Sequence, residues 1–328
     1  MAIEQVIFVL VFFGFTLLFI KNFRRIRRNI NLGKDINRSN NPKLRWKTMA
    51  KVALGQSKMK VRPVAAFFHL IIYLGFIIIN IEVIEILIDG IFGTHRVLSF
   101  LGKFYSFLIG TFEIFAFLVL IACIVFFFRR NFMSIKRFLS EEMEGWPKSD
   151  ANIILIVEIL LMLAFLTMNA CDNLLFSYGY SKYAEVSFSI PISEYLIPLF
   201  SDLSLSSILI IERFCWWFHI IGILAFLNYL VISKHLHIIL AFPNTYFSNL
   251  NSKGEISNMS SVTNEVKMML NPDIDPFSIN GENSPERFGA KDVEDLTWVQ
   301  LMNAYSCTEC GRCTSECPAN QTGKLLSP

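Results

Sequence analysis

The chain has 328 residues, 53% of them hydrophobic and 17% charged, with a mean hydropathy of +0.48 and a formal net charge of +3. That balance is too apolar for one soluble domain and predicts an all-α polytopic membrane protein, with the lipid bilayer as its first partner and no nucleic-acid partner. Seven cysteines, most of them clustered, do not make a secreted disulfide framework.

Five stretches are long and apolar enough to cross a bilayer, which takes ~20 residues each: residues 3–20, 64–87, 105–128, 152–170 and 208–232. The first has no basic residues before it. Its positive charge follows, at Lys21, Arg24, Arg25, Arg27 and Arg28, so it reads as an anchor rather than a cleaved signal. Residues 21–62 carry 14 Lys or Arg against one acid, Asp35. Residues 129–150 add Arg129, Arg130, Lys136 and Arg137, whereas 88–104 and 171–207 are poor in basic residues. The positive-inside rule then places the N-terminus outside and 21–62, 129–150 and everything after 233 in the cytoplasm of a bacterial inner membrane.

The excursion 171–207 is rich in Tyr and apolar residues around Pro191 and Pro198, and an interfacial helix is expected there. From about 243 to 292, Asn, Ser, Gly, Asp and Pro read as a cytoplasmic linker. Residues 293–305, with Leu296, Trp298, Val299, Leu301, Met302 and Tyr305, read as a short amphipathic helix. The expected organisation is a membrane domain over 1–242, the linker, and a cysteine-bearing segment over 293–328.

That segment holds the most informative motif: Cys307, Cys310, Cys313 and Cys317, followed by Pro318, in the order C-x2-C-x2-C-x3-C-P. This is the spacing that wraps a [4Fe–4S] cluster in bacterial-type ferredoxins. A structural zinc site is the alternative, although zinc modules usually split their ligands into two distant pairs. In two-cluster ferredoxins the fourth cysteine of such a run serves the other cluster. No second run follows here, so the natural chain is expected to continue past Pro328.

His69 and His219 lie within the second and fifth spans. An imidazole in hydrocarbon needs a partner, and facing imidazoles on two helices can hold a b-type haem as axial ligands. The alternative is that each simply bonds a neighbouring carbonyl or hydroxyl. His237 follows His219 by 18 residues, five helical turns if the helix runs straight; one haem or two are both open. His95 is expected in solvent. Glu113 and Glu158 fall inside spans three and four, where a carboxylate is costly; they are candidates for a proton path or a quinone contact, or for a plain bond to a neighbouring helix. Glu212 and Arg213 read as a surface pair at a span end. Cys123 and Cys215 read as inert packing residues, and Cys171 as a lone thiol at a helix end.

The stretch from Thr297 to Pro328, TWVQLMNAYSCTECGRCTSECPANQTGKLLSP, resembles the opening of the ferredoxin-like region in heterodisulfide-reductase-related iron–sulfur proteins. The membrane part is similar to the haem b (gamma) subunit of respiratory nitrate reductase, through five spans, His69 on the second, His219 and His237 on the fifth, and the stretch SKHLHIILAFPN. The resemblance implies a cytochrome b fused to an iron–sulfur oxidoreductase. It also implies exchange of electrons between menaquinone or another quinone and a cytoplasmic redox protein such as an electron-transfer flavoprotein. Two departures stand out: the gamma-subunit pattern has two histidines on span two where only His69 is present, and the family's second cysteine run is missing. Two readings from other classes stand beside electron transfer. One is a non-catalytic anchor or assembly subunit of a larger complex, and the other a transporter with a cytoplasmic zinc module.

Overall fold

A computed structural model describes residues 3–180, 188–252, 254–256, 258–271 and 289–324. The architecture is that of an all-α polytopic membrane protein. Among the described residues the one β pairing is an isolated bridge between Lys34 and Thr297. Five helices are long and apolar enough to span a bilayer: α1 (Ile3–Ile30), α3 (Pro63–Phe92), α4 (Lys103–Asn131), α5 (Trp146–Ser177) and α6 (Leu205–Leu230). Between them lies α2 (Pro42–Met49), and after them come α7 (His237–Tyr246), α8 (Ser260–Leu270), α9 (Trp298–Tyr305), α10 (Arg312–Glu316) and α11 (Pro318–Gln321).

The spanning helices overrun the apolar stretches that predict them. At 1.5 Å per residue, the 32 residues of α5 are ~48 Å long, well beyond a hydrocarbon core of about 30 Å. Polar sequence continues each helix because the backbone stays hydrogen-bonded and the ends have their own stop signals. α1 runs into Arg27 and Arg28, cations that suit the negative end of the helix dipole. α3 opens on Pro63 and closes on Gly93, whose φ of 73° is the left-handed cap that glycine adopts without penalty. Ser204 caps α6 by accepting from the Ser207 N–H.

The chain divides into two compact units. The first comprises 1–23, 58–236 and 307–328. In it α3 packs on α4, α4 on α5 and α5 on α6. In lipid, helices gain little from apolar transfer, so close van der Waals packing carries their association. Two glycines permit it: a Cβ at Gly75 would lie 2.4 Å from Val119 of α4, and one at Gly222 would lie 2.7 Å from Leu161 of α5. Ile109, Phe112, Ala116, Val119, Leu161 and Phe165 fill the middle of this core. One end of the bundle gathers residues 93–102, the end of α5 and the start of α6. The other end carries the α4–α5 connection and the cysteine segment.

α6 stops at Leu230, and a turn and a short 3₁₀ segment (Lys234–Leu236) precede α7. The straight run from His219 to His237, on which their sharing one face depended, is therefore interrupted. The excursion after α5 contains a 3₁₀ helix, Ser193–Leu199, that Pro198 continues without its missing donor; residues 181–187 of that excursion lie outside the described residues.

The second unit joins 24–57 to 237–306. Arg45 of α2 is buried and acts as its staple. It donates to Asn40 O and Oδ1 at 2.8 and 2.6 Å, and to Tyr246 O and Ser248 O at 3.0 and 2.9 Å. Trp298 stacks edge-on against Phe247 and donates from Nε1 to Ile36 O. The expected helix over 293–305 is present as a 3₁₀ turn (Val293–Asp295) followed by α9, started by a reciprocal capping box between Thr297 and Gln300. Within the expected linker 243–292, α7 runs to Tyr246 and α8 forms, while 272–288 lie outside the described residues. So does Pro328.

Candidate functional site

The cysteine run sits on a tight backbone. Glu309 and Gly311 both take left-handed φ values, 44° and 66°, which turn the chain sharply between consecutive cysteines. Glu309 donates its N–H to Cys307 Sγ at 3.4 Å, the kind of contact that surrounds metal-bound thiolates. Cys307 and Cys313 are exposed, and Cys310 and Cys317 are half-buried. Burial pushes the Cys310 thiol up. The Arg312 N–H, the Thr308 hydroxyl and the Arg312 and Arg137 guanidiniums outweigh that and hold it below the usual thiol value. Among the described residues no three His, Cys, Asp or Glu side chains are drawn together as they would be around a metal ion. The donor set nonetheless suits an iron–sulfur cluster: four soft thiols within eleven positions and an N–H directed at sulfur.

The segment is docked on the bundle. A Cβ at Gly311 would lie 2.8 Å from Arg137 O and 3.0 Å from Met143 Sδ, so only glycine allows this approach. Lys234 donates to Pro147 O at 2.7 Å and lies 3.5 Å from the Glu309 carboxylate and 3.8 Å from buried Asp150. Asp150 in turn accepts from the Tyr229 hydroxyl at 2.6 Å and the Lys234 N–H at 2.9 Å. Arg62 pairs with Glu316 at 3.3 Å. Arg62 before α3, Arg137 and Met143 of the α4–α5 connection and Lys234 after α6 thus fix the cysteine segment from several sides.

His219 is buried, and its Nδ1 lies 3.1 Å from Leu161 O. A ring whose Nδ1–H donates to a carbonyl keeps its lone pair on Nε2, the tautomer and orientation of a metal-ligating imidazole. His69 is half-buried on α3. Side-chain contacts between neighbouring helices set their relative depth. Asn131 with Asn152 and Glu113 with Asn169 set α4 against α5; Gly75 with Val119 and Phe68 with Phe126 set α3 against α4. Leu161, and with it His219, then falls near the level of Ile72, about one turn or ~5 Å from His69. The donor chemistry of His219 and this common depth suit a haem held between the two helices. His237 opens α7 in the second unit.

Glu113 is buried and bonded on both oxygens. It accepts from Asn169 Nδ2 at 3.0 Å and from the Ile192 and Ser193 N–H groups at 3.0 and 3.1 Å. It therefore pins the excursion to the bundle. Glu158 is half-buried on α5.

The sequence reading missed a polar network at the 93–102 end. Glu82, Glu85 and Asp89 occupy one face of α3. Arg96, at φ 53°, is buried beneath the loop, its N–H and that of Val97 held by Asp89. Its guanidinium donates to Asp172 Oδ2 at 2.9 Å, Glu82 Oε1 at 3.1 Å and Asn169 Oδ1 at 2.6 Å, and lies over the Phe188 ring. Glu85 accepts from the Leu98 N–H and the Tyr105 hydroxyl. His95, expected in solvent, instead contacts Asp172 Oδ1 at 3.2 Å, and its side chain is only 11% exposed. Glu212 is buried, not part of a surface pair, although it does bond Arg213. Cys171 is buried well inside α5 rather than at its end. The spacing of Glu82, Glu85 and Asp89, three and four residues apart, was the available signal.

The chain is similar to the probable iron-sulfur-binding oxidoreductase FadF of Bacillus subtilis, at 31% identity over 274 residues, which is 84% of this chain and 34% of that protein. It is also similar to the EtfAB:quinone oxidoreductase of Syntrophomonas wolfei, at 25% identity over 281 residues, 84% of this chain and 35% of that protein. The chain spans about a third of the length of these curated relatives. No protein-family model and no solved structure matches it.

Proposed function

We propose that this chain moves electrons between a quinone in the membrane and a soluble redox protein, using a [4Fe–4S] cluster and haem b. The observation that carries the reading is the ferredoxin-spaced cysteine segment seated directly on an apolar helical bundle, within one compact unit. The relatives' names, one iron-sulfur-binding and one an EtfAB:quinone oxidoreductase, support the same chemistry and suggest an electron-transfer flavoprotein as the partner.

Cys307, Cys310, Cys313 and Cys317 would hold the cluster, and His69 and His219 the haem. Both groups supply one-electron storage when bound. The chain's own residues do the rest. Leu161 O fixes the His219 ring, and Gly311, Lys234 and Arg62 seat the cysteine segment. Glu113 and Glu158 are candidates for proton handling or a quinone contact, since quinol oxidation yields protons as well as electrons. The cysteine segment rests against Arg137 in the basic α4–α5 connection. This favours the orientation with the cysteines and residues 21–62 in the cytoplasm.

The test is a reduced-minus-oxidised visible spectrum of purified, anaerobically prepared protein, with iron and zinc analysis. The expected result is b-type haem bands over a broad iron–sulfur bleach, with His219→Ala losing the haem bands and keeping the bleach. Stoichiometric zinc without iron overturns the reading.

A further inference from the structure

The polar network at the 93–102 end is unexplained by electron storage. Six carboxylates there are at least nine-tenths buried: Glu82, Glu85, Asp89, Glu113, Asp172 and Glu212. Arg96 is the one guanidinium buried to the same degree among the described residues at this end. A low-dielectric interior does not accept so large an excess of negative charge, so protons must reside in the network.

The hydrogen bonds say where. Asp89 accepts from the Thr94 hydroxyl and two N–H groups, Glu85 from an N–H and a hydroxyl, and Glu113 from three N–H groups. Asp172 faces both Arg96 and His95, and Glu212 faces Arg213. Glu82 differs. Its Oε1 meets Arg96, while its buried Oε2 has no hydrogen-bond partner among the described residues. It stands ten residues before the end of α3, ~15 Å into the bundle from the 93–102 end.

Two small cavities adjoin the network. One, of ≈10 Å³, is lined by Glu85, Asp89, His95, Arg96, Asp172 and Glu212. The other, of ≈40 Å³, also touches Asp89 and His95 and reaches Glu4, Gln5 and Arg213 at the start of α1 and in α6. These are the sizes of one water and of a few waters, and both have polar walls.

We infer that Glu82, linked through Arg96 to the Asp172–His95 pair and the smaller cavity, heads a proton path that these two cavities hydrate from there to the 93–102 end. It rests on the quinone reading above, and it carries the protons released there. Hydroquinone gives quinone, two electrons and two protons; the cluster and haem, when bound, would take the electrons, and the protons leave through Glu82. Arg96 keeps its proton and holds the carboxylates in line. His95, whose two ring nitrogens can exchange a proton, is the step between the cavities.

Infrared spectroscopy of the full chain in lipid tests this without turnover. At neutral pH a protonated carboxyl band should be present, should shift on transfer to D₂O, and should vanish in Glu82→Gln. In His95→Gln, at the half-buried mouth, the band should persist but shift on the order of a hundredfold more slowly. The path is overturned if no exchangeable carboxyl band is lost in Glu82→Gln, or if His95→Gln exchanges at the native rate. Should Glu82→Gln fail to fold, the His95→Gln rate decides alone. Reduction of the bound redox centres by a soluble hydroquinone separates the two claims. Native exchange in His95→Gln with hydroquinone reduction intact sinks the path alone, whereas slowed exchange in a protein that no hydroquinone reduces sinks the quinone reading alone.

Discussion

Replacing Gly311 by Ala isolates the docking of the cysteine segment, because Gly323 in the same segment supplies an internal control. Both glycines have positive φ, 66° and 90°, so alanine at either place costs about 1–2 kcal/mol of backbone strain. Only at Gly311 does the new methyl meet the bundle, 2.8 Å from Arg137 O and 3.0 Å from Met143 Sδ, while at Gly323 nothing lies within 4 Å. Crowding of that kind adds about 1–3 kcal/mol. At 1.4 kcal/mol per factor of ten, the undocked population should rise roughly 5- to 150-fold more in Gly311→Ala than in Gly323→Ala. The assay is thiol labelling of the metal-free chain, read by mass spectrometry at Cys310, which is half-buried when docked. Labelling should quicken by that ratio at fixed pH. Equal rates in the two variants would refute the claim that the Arg137–Met143 contact seats the segment.

Arg45→Ala should unfold the second unit, since it strands the Tyr246 and Ser248 carbonyls at about 1–3 kcal/mol each; limited proteolysis within 24–57 reads the effect, and Arg45→Lys should rescue it only partly, lacking the planar fork. Arg96→Met should cost about 3–5 kcal/mol in detergent melts by leaving the Asp172 carboxylate buried without its cation. Adding Asp172→Asn should recover part of that loss, and a double variant no better than the single would contradict the pairing. Thr297→Ala removes one half of the capping box and should lower α9 protection in hydrogen exchange by about 1 kcal/mol.

The spans were legible because about twenty consecutive apolar residues leave a chain little choice in lipid. Their true ends were not. Polar residues such as those of 21–30 carry no periodic apolar signal, yet they continue α1 because a helix already formed extends cheaply. The cysteine run was legible as a local pattern, whereas its seat on Arg137 and Met143 is a contact between residues far apart in sequence. His219 stood out as an imidazole among apolar neighbours, but the Leu161 carbonyl that fixes it is a backbone atom, invisible to composition. The acids of α3 were hidden in the opposite way. Each reads as an isolated exception in an apolar run, and His95 and Arg96 read as loop residues, until the fold brings them under one another.

The Arg45 staple also sets a timetable for the newborn chain. Its acceptors at Tyr246 and Ser248 are 201 and 203 residues downstream, and all of α3 to α6 is made in between. While the ribosome delivers those four helices to the membrane, Arg45 has its Asn40 acceptors but must wait for those of Tyr246 and Ser248. A stalled translation product ending before Tyr246 should be degraded from the stretch around Arg45 first.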